Sequence, residues 1–379
     1  MKRQGLVITA VIGLIVAVGL GTWTVKQVAA TKATHETVDS ASIVVKKTAP
    51  QHRAGNYTKA QALAKIDTLM KNAHIMGTLL ITNNGPAGVM TRSYGYADVA
   101  SAKKNSADEV YPLASLQKAI TGTVIQGLIN QGKLTMTTRL SRYFPQIPYA
   151  KNITIRELLD HRSGLRMGEP VPASILPNEA AEVAYTVSHL TSTNNHAFAY
   201  SNANFTMLAG VIRKVTGKSY QTNVRNIILK PLAMHHTYDY NQIPINVIDP
   251  NSYQLTKGYS QSAVISKPLQ SSELGAGSLY SSVGDYYKFI HALFTGKLVG
   301  KAGFDELAAD QKISYAGGIY YLGHGNVRIG GSDNSFQTYY MGTVDAKIGV
   351  VLFDNQGVFD GDNSVGFAIQ AILAKSDPF

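Results

Sequence analysis

Apolar positions along the chain fall into three regimes. The first is an unbroken run: Lys2 and Arg3 lead into Gly5–Val25, a segment without a charged residue. A run of that length crosses about 30 Å of hydrocarbon as a helix, and the leading positive charges predict an inside N-terminus with the remainder outside. A secretory signal peptide ending near Val28-Ala29-Ala30 is the competing reading, and either one exports the protein. The second regime, Thr31–Asn56, is polar and lacks a period, which predicts a flexible linker. Residues 1–30 therefore read as anchor or signal segment, 31–56 as linker and 57–379 as the folded domain.

The third regime alternates between helical and strand periods. Thr58 is placed to cap a helix over TKAQALAKIDTLMKNA, and Gly77–Thr82 with Val89–Ala97 read as a hairpin around Asn83-Asn84-Gly85-Pro86. Pro112 ends an extended approach, and from Ala114 apolar residues recur at three and four until the glycine stop at Gln131-Gly132. Asn152–Leu165 reads as a short helix with Thr154 as cap, closed by Gly164. Residues 178–240 read as mostly helical, interrupted by Tyr200-Ser201-Asn202. Strands return at Gly318–Leu322, Phe336–Met341 and Ile348–Phe353, the last two as a hairpin across Asp345, before an amphipathic helix over Ser364–Lys375. Strands at both ends with helices between them predict an α+β domain. Its antiparallel sheet is assembled from both ends, flanked by helices, with an inserted, mainly helical lobe. A cleft between sheet and lobe is the expected place for a site.

Composition changes this picture in two ways. The net charge of +11, from 35 basic and 24 acidic residues, suits an anionic environment such as a membrane surface or a phosphate-rich polymer. The basic residues are scattered, with no run of five and no recognition motif, so nucleic acid is not an expected partner. Cysteine is absent, which excludes disulfides, thiolate metal sites and cysteine nucleophiles.

The candidate chemistry starts at Ser115 and Lys118, three apart and so on one helical face. A serine hydroxyl becomes a nucleophile when a neighbour takes its proton, and a lysine can do so if burial and nearby positive charge keep it neutral. The field of a helix N-terminus also favours the developing alkoxide. Alone, S-x-x-K also describes a capping serine beside a surface lysine. Other signals fall away. Val215-Thr216-Gly217-Lys218-Ser219 lacks the leading glycine of a phosphate loop, since Ile212 stands there. His235-His236 has no acidic partner at metal-ligand spacing. Asp160-His161 suggests a serine triad, but no G-x-S-x-G surrounds Ser115, and His161 reads as structural.

With Ser115-Leu116-Gln117-Lys118 and Tyr200-Ser201-Asn202 both placed, the chain resembles the serine β-lactamase and penicillin-binding-protein superfamily, in its class C β-lactamase-like branch. TIRELLDHRSGL, YSNANFTMLAGVIRKVTGKSY with ILKPLAMHHTY, and GAGSLYSSVGDYYKFI are similar to further segments of that family, in order, from about Tyr94 to Phe353. The resemblance implies a β-lactamase/transpeptidase-like fold, Ser115 as acyl-accepting nucleophile, Lys118 as its proton partner and Tyr200 as second acid/base. It implies that Asn202 helps hold the lysine and the substrate amide. A lysinium beside Tyr200 would push its phenol down and make it a base. Backbone N–H groups of Ser115 and of an edge strand would form the oxyanion site. The family's third motif, Lys or His, any residue, then Gly on a strand lining the cleft, has its candidate in His324-Gly325-Asn326, with Asn326 where glycine is expected. Asn326 should crowd that wall.

No cofactor and no metal are implied. The expected protein is a membrane-anchored, outward-facing serine hydrolase acting on D-alanyl groups of the cell envelope. The altered third motif leans it toward D-alanyl esters of teichoic acid. D-Ala-D-Ala carboxypeptidase action on peptidoglycan is the alternative, and an inactive wall-binding relative a further one.

Overall fold

The computed structural model describes residues 56–379 apart from 257–258, 264, 313 and 357–362. The expected anchor, and all of the linker except Asn56, lie outside the described residues. Among the described residues no helix is long and apolar enough to cross a membrane.

Seven antiparallel strands make the main sheet: β1 (Met76–Thr82), β2 (Met90–Tyr94), β3 (Tyr315–Ala316), β4 (Ile319–Gly323), β5 (Asn326–Asp333), β6 (Phe336–Thr343) and β7 (Gly349–Gln356). Their order is β3-β4-β5-β6-β7-β1-β2, so the N-terminal hairpin closes one edge against the C-terminal meander. Both expected hairpins form, with Ile81 opposite Met90 and Met341 opposite Val350. Every residue of β7 is buried because it is covered on both faces. On one face lie α1 (Lys59–Asn72) and the C-terminal helix Asn363–Ala374, where Ile66, Met70 and Ile369 pack on Leu79, Ile81 and Leu352. Alternate residues, Leu80, Val351 and Phe353, enter the larger core shared with the helical lobe.

Local signals set the helix starts. Thr58 and Thr154 each form a capping box, with Gln61 and Glu157 respectively. The helix behind Thr154 is shorter than expected. It ends at Leu159, and His161, at φ 55°, turns the chain before Gly164 is reached. The block at 178–240 also departs from expectation near its end. Glu179–His189 and Asn202–Thr216 (α3 below) are helical, but Thr237–Asp239 is a strand that pairs with Leu279–Ser281. Leu279–Ser281 also pairs with Tyr111–Pro112, so a small ladder anchors the extended approach to Ser115.

Candidate active site

Ser115 sits where the extended approach becomes a helix. The Leu113 N–H donates to Leu279 O at 2.7 Å, and Thr338 Oγ1 donates to Leu113 O at 3.1 Å, pinning the backbone from two sides. Ala114 then takes φ 45°, a strained value for a non-glycine residue at the entrance to a functional turn. Ser115 itself lies in a 3₁₀ turn, Ala114–Leu116, and not in the first α-helical turn as expected; α2 follows at Gln117–Asn130.

Two polar groups meet at the serine oxygen. Lys118 Nζ donates to Ser115 Oγ at 2.9 Å and to Ala276 O at 3.0 Å, and the Tyr200 hydroxyl donates to the same Oγ at 2.7 Å. Lys118 is only 1% exposed, and burial pushes its ammonium well below an ordinary lysine, against the opposing pull of Glu273 and Glu169. Of the two influences expected to keep it neutral, burial is the one that acts, while the charges facing it are negative. Burial acts the other way on Tyr200. It drives the phenol well above its usual value, outweighing the hydrogen bond to Ser115 and the charge of Arg328. The expectation of a tyrosine pushed down by lysinium fails, because desolvation is the larger effect. Tyr200 is held as a proton donor.

Tyr200 is positioned from beneath. It immediately precedes Ser201, the residue that caps α3 (Asn202–Thr216), and its ring stacks on His161 with centroids 4.3 Å apart. His161 Nδ1 accepts from Asn204 Nδ2 at 2.9 Å and from the Ser201 N–H at 3.3 Å, which leaves the proton on Nε2, 3.1 Å from the Tyr315 hydroxyl. A fully buried imidazole with that tautomer is neutral, and burial pushes its pKa well below 6.5. Asp160 faces Arg156 instead, in a close ion pair, so no Ser-His-Asp arrangement exists here.

The cleft wall is β5. Its Asn326–Val327–Arg328 end pairs with β4, while the half carrying Gly330 and Gly331 extends past β4 and runs against the turn that carries Ser115. A Cβ on Gly331 would lie 2.6 Å from Leu113 O and 2.9 Å from Ser115 N, so only glycine admits this approach. The far half of β5 is therefore the edge strand expected beside the Ser115 N–H. A pocket of about 200 Å³ opens there, lined by Ser115, Tyr200, Tyr315, Gly318, Tyr320, Arg328 and Gly330.

Two expectations about substrate-binding residues are not met. His324 and Gly325 form the turn between β4 and β5, with φ 51° and 75°, and Asn326 begins β5 with its Oδ1 accepting from Gln370 Nε2. None of the three lines the pocket. The cation-x-Gly pattern that does line it is Arg328-Ile329-Gly330, passed over because the pattern sought Lys or His. Asn202 is at the site, but it does not hold Lys118. Its Nδ2 donates to Glu169 Oε1 at 2.7 Å and to Glu273 Oε1 at 3.1 Å. Glu169 and Glu273 had no signal of their own in the sequence. Among the described residues there is no cluster of His, Cys, Asp and Glu suited to a metal ion.

The beta-lactamase family model matches residues 63–374, from within α1 to the end of the C-terminal helix. The chain belongs to the beta-lactamase family. It is a serine hydrolase with the fold of that family. PbpX of Bacillus subtilis (strain 168), named as a penicillin-binding protein, is 28% identical over 77% of this chain and 73% of its own length. Teichoic acid D-alanine hydrolase of Staphylococcus aureus is 29% identical over 62% of this chain and 58% of its own length, less than two thirds of that relative. The crystal structure of FmtA from Staphylococcus aureus superposes with a TM-score of 0.73 at 25% identity, over 88% of this chain and 93% of that one.

Proposed function

We propose that this family member hydrolyses D-alanyl esters of the cell envelope, teichoic acid first among them, through an acyl group carried on Ser115. The observation that carries the reading is the convergence of Lys118 Nζ and the Tyr200 hydroxyl on one serine oxygen inside a pocket. Neutral Lys118 takes the proton as Ser115 Oγ attacks the ester carbonyl. The oxyanion forms against the Ser115 N–H and the edge of β5. Tyr200, protonated, supplies the proton that the departing alcohol needs. Water, deprotonated by the same groups in reverse, then releases D-alanine and restores Ser115.

Support for the ester comes from the name of the Staphylococcus aureus relative and from the net charge of +11, which draws a polyanion. Asn326 lends the ester no support, since it does not line the pocket. Carboxypeptidase action on D-Ala-D-Ala is the second reading. The name of the Bacillus subtilis relative supports it, and Arg328 at the pocket wall suits a terminal carboxylate and a polymer phosphate alike. In either case the uncharged run Gly5–Val25 behind Lys2 and Arg3 supports a domain exported and held at the outer face of the membrane, with a cleaved signal segment as the alternative.

The test measures free D-alanine after the full chain, in detergent, meets D-alanylated lipoteichoic acid or a D-Ala-D-Ala pentapeptide. Release from the first and not the second, abolished by Ser115→Ala, is the expected result. Release from the pentapeptide alone overturns the ester reading, and release insensitive to Ser115→Ala overturns the nucleophile.

A further inference from the structure

Apart from the aromatic pocket, the neighbourhood of Ser115 contains a group of acceptors whose purpose the hydrolytic steps leave open. Glu169 and Glu273 both accept from the Asn202 amide. Glu273 Oε2 is 2.9 Å from where a Cβ on Gly277 would sit, a point 3.6 Å from the carbonyl carbon of Ala114, so the carboxylate lies beside the nucleophile's own turn. Neither glutamate forms an ion pair with a cationic side chain among the described residues. The second, independent observation is Asn202 Oδ1. Asn202 is 6% exposed, its amide nitrogen is engaged with both carboxylates, and its oxygen meets no donor. An acceptor buried without a donor is costly, and such an atom beside two carboxylates marks a place for a donor that arrives with the ligand.

We propose that Glu169, Glu273 and Asn202 Oδ1 bind the protonated α-amino group of the acyl moiety that is transferred to Ser115. This rests on the acyl-serine reading above and specifies its substrate: an ester of an amino acid whose amine is free. The chemistry matches in number and reach. An ammonium offers three donors and no acceptor, and the site offers three acceptors. In an aminoacyl ester the nitrogen lies about 2.5 Å from the carbonyl carbon, so its pocket must adjoin the nucleophile. Acylating the nitrogen, as in a peptide substrate, removes the charge and all but one N–H, leaving two carboxylates facing an amide. The same cation relieves the burial that pushes the Glu273 carboxyl upward.

The experiment compares kcat/KM for D-alanine methyl ester and N-acetyl-D-alanine methyl ester, which share a leaving group and differ in the charge of the acyl nitrogen. The full chain should favour the free amine by about tenfold or more, the scale of a charge-assisted contact. Glu169→Gln, at an exposed position that tolerates the change, should bring that ratio toward one. Equal use of the two esters by the unmodified protein, or a ratio that Glu169→Gln leaves unmoved, overturns the proposal. If the carboxylates serve only to set the protonation of Lys118, both esters slow together and the ratio stays fixed. Failure of the acyl-serine reading has a different signature: turnover of both esters would survive Ser115→Ala.

Discussion

Replacing Gly331 by alanine tests whether β5 is the wall against which the serine reacts. The added methyl would sit 2.6 Å from Leu113 O, 2.9 Å from Ser115 N and 2.9 Å from Thr338 Oγ1. Two of these are backbone atoms of the pinned turn, and the third donates to Leu113 O, so none is free to swing away. Bringing the closest contact to ordinary distance needs a relative movement of about 0.8 Å, which either strand or turn must supply. Overpacking of this kind costs about 1–3 kcal/mol in stability. Its effect on chemistry should be larger. Displacing one oxyanion donor by about 1 Å lowers the rate on the order of 10²-fold. The control is Gly325→Ala, in the segment His324-Gly325-Asn326 that the sequence pattern had favoured. It has φ +75°, and its nearest atom, Val344 Cγ1, is 3.9 Å away. Alanine there costs about 1 kcal/mol of backbone strain and leaves the reaction alone. The assay is the rate of fluorophosphonate labelling of Ser115, with urea midpoints on the same samples. Wild-type labelling by Gly331→Ala, or equal slowing by both variants, refutes the placement of β5 at the reacting centre.

Labelling should rise with pH as Lys118 loses its proton, with a midpoint below the 10.5 of an ordinary lysine. Because Glu273 pulls that midpoint up, Glu273→Gln should move it lower still, and an upward movement contradicts the assignment. Tyr200→Phe should slow an alkyl ester by about 10²–10⁴-fold and a nitrophenyl ester much less, since only the first leaving group needs a proton. Equal losses would make Tyr200 something other than the acid. Arg156→Met strips Asp160 of its ion-pair partner and the Leu307 carbonyl of its donor, at a cost of about 3 kcal/mol in urea unfolding near neutral pH. Burial has raised the Asp160 carboxyl from 3.8 to about 6, so its folded form holds the proton more tightly than the unfolded chain. Stability from that group is present below 3.8 and lost as pH rises through about 6, and the variant's deficit should therefore be smaller at acid pH than at neutral. A deficit independent of pH would mean that Asp160 is not the group left exposed to the loss.

What was legible in the sequence followed from rules that act within a few residues. Both hairpins show alternation and turn residues, and both capping boxes can be read from spacing alone. The strand that matters most, β5, was not legible. Its sequence NVRIGGSD has two glycines and an Asn–Asp frame, a poor strand by propensity. The second of them, Gly331, is there for a contact with Leu113 and Ser115, more than 200 positions away, which no local rule can express. The helical reading of 230–240 failed for a related reason. Pro231 and the left-handed Ala233 break the helix, and Thr237–Asp239 becomes a strand because Leu279–Ser281 is there to pair with it.

Residue identity at the site was more legible than protonation. The spacing of Ser115 and Lys118 survives into three dimensions as a 2.9 Å contact, and the tyrosine 85 positions on completes it. One of the two roles was assigned with the wrong force. For Lys118 sequence reasoning named burial and nearby positive charge together, but for Tyr200 it let the lysinium charge alone push the phenol down and make it a base. In the folded chain desolvation dominates both groups, and it penalises the charged form of each. For an amine the uncharged form is the base, and for a phenol it is the acid. Desolvation, complete at Lys118 and partial at Tyr200, which stays 40% exposed, therefore favours opposite functions for the two groups, which suits a reaction that must first remove a proton from Ser115 and then return one to the leaving oxygen. It also explains why a carboxylate can stand near Lys118 without locking it as an ammonium. Glu273 is itself pushed toward its neutral acid by the same burial, so its pull on the lysine is weakened.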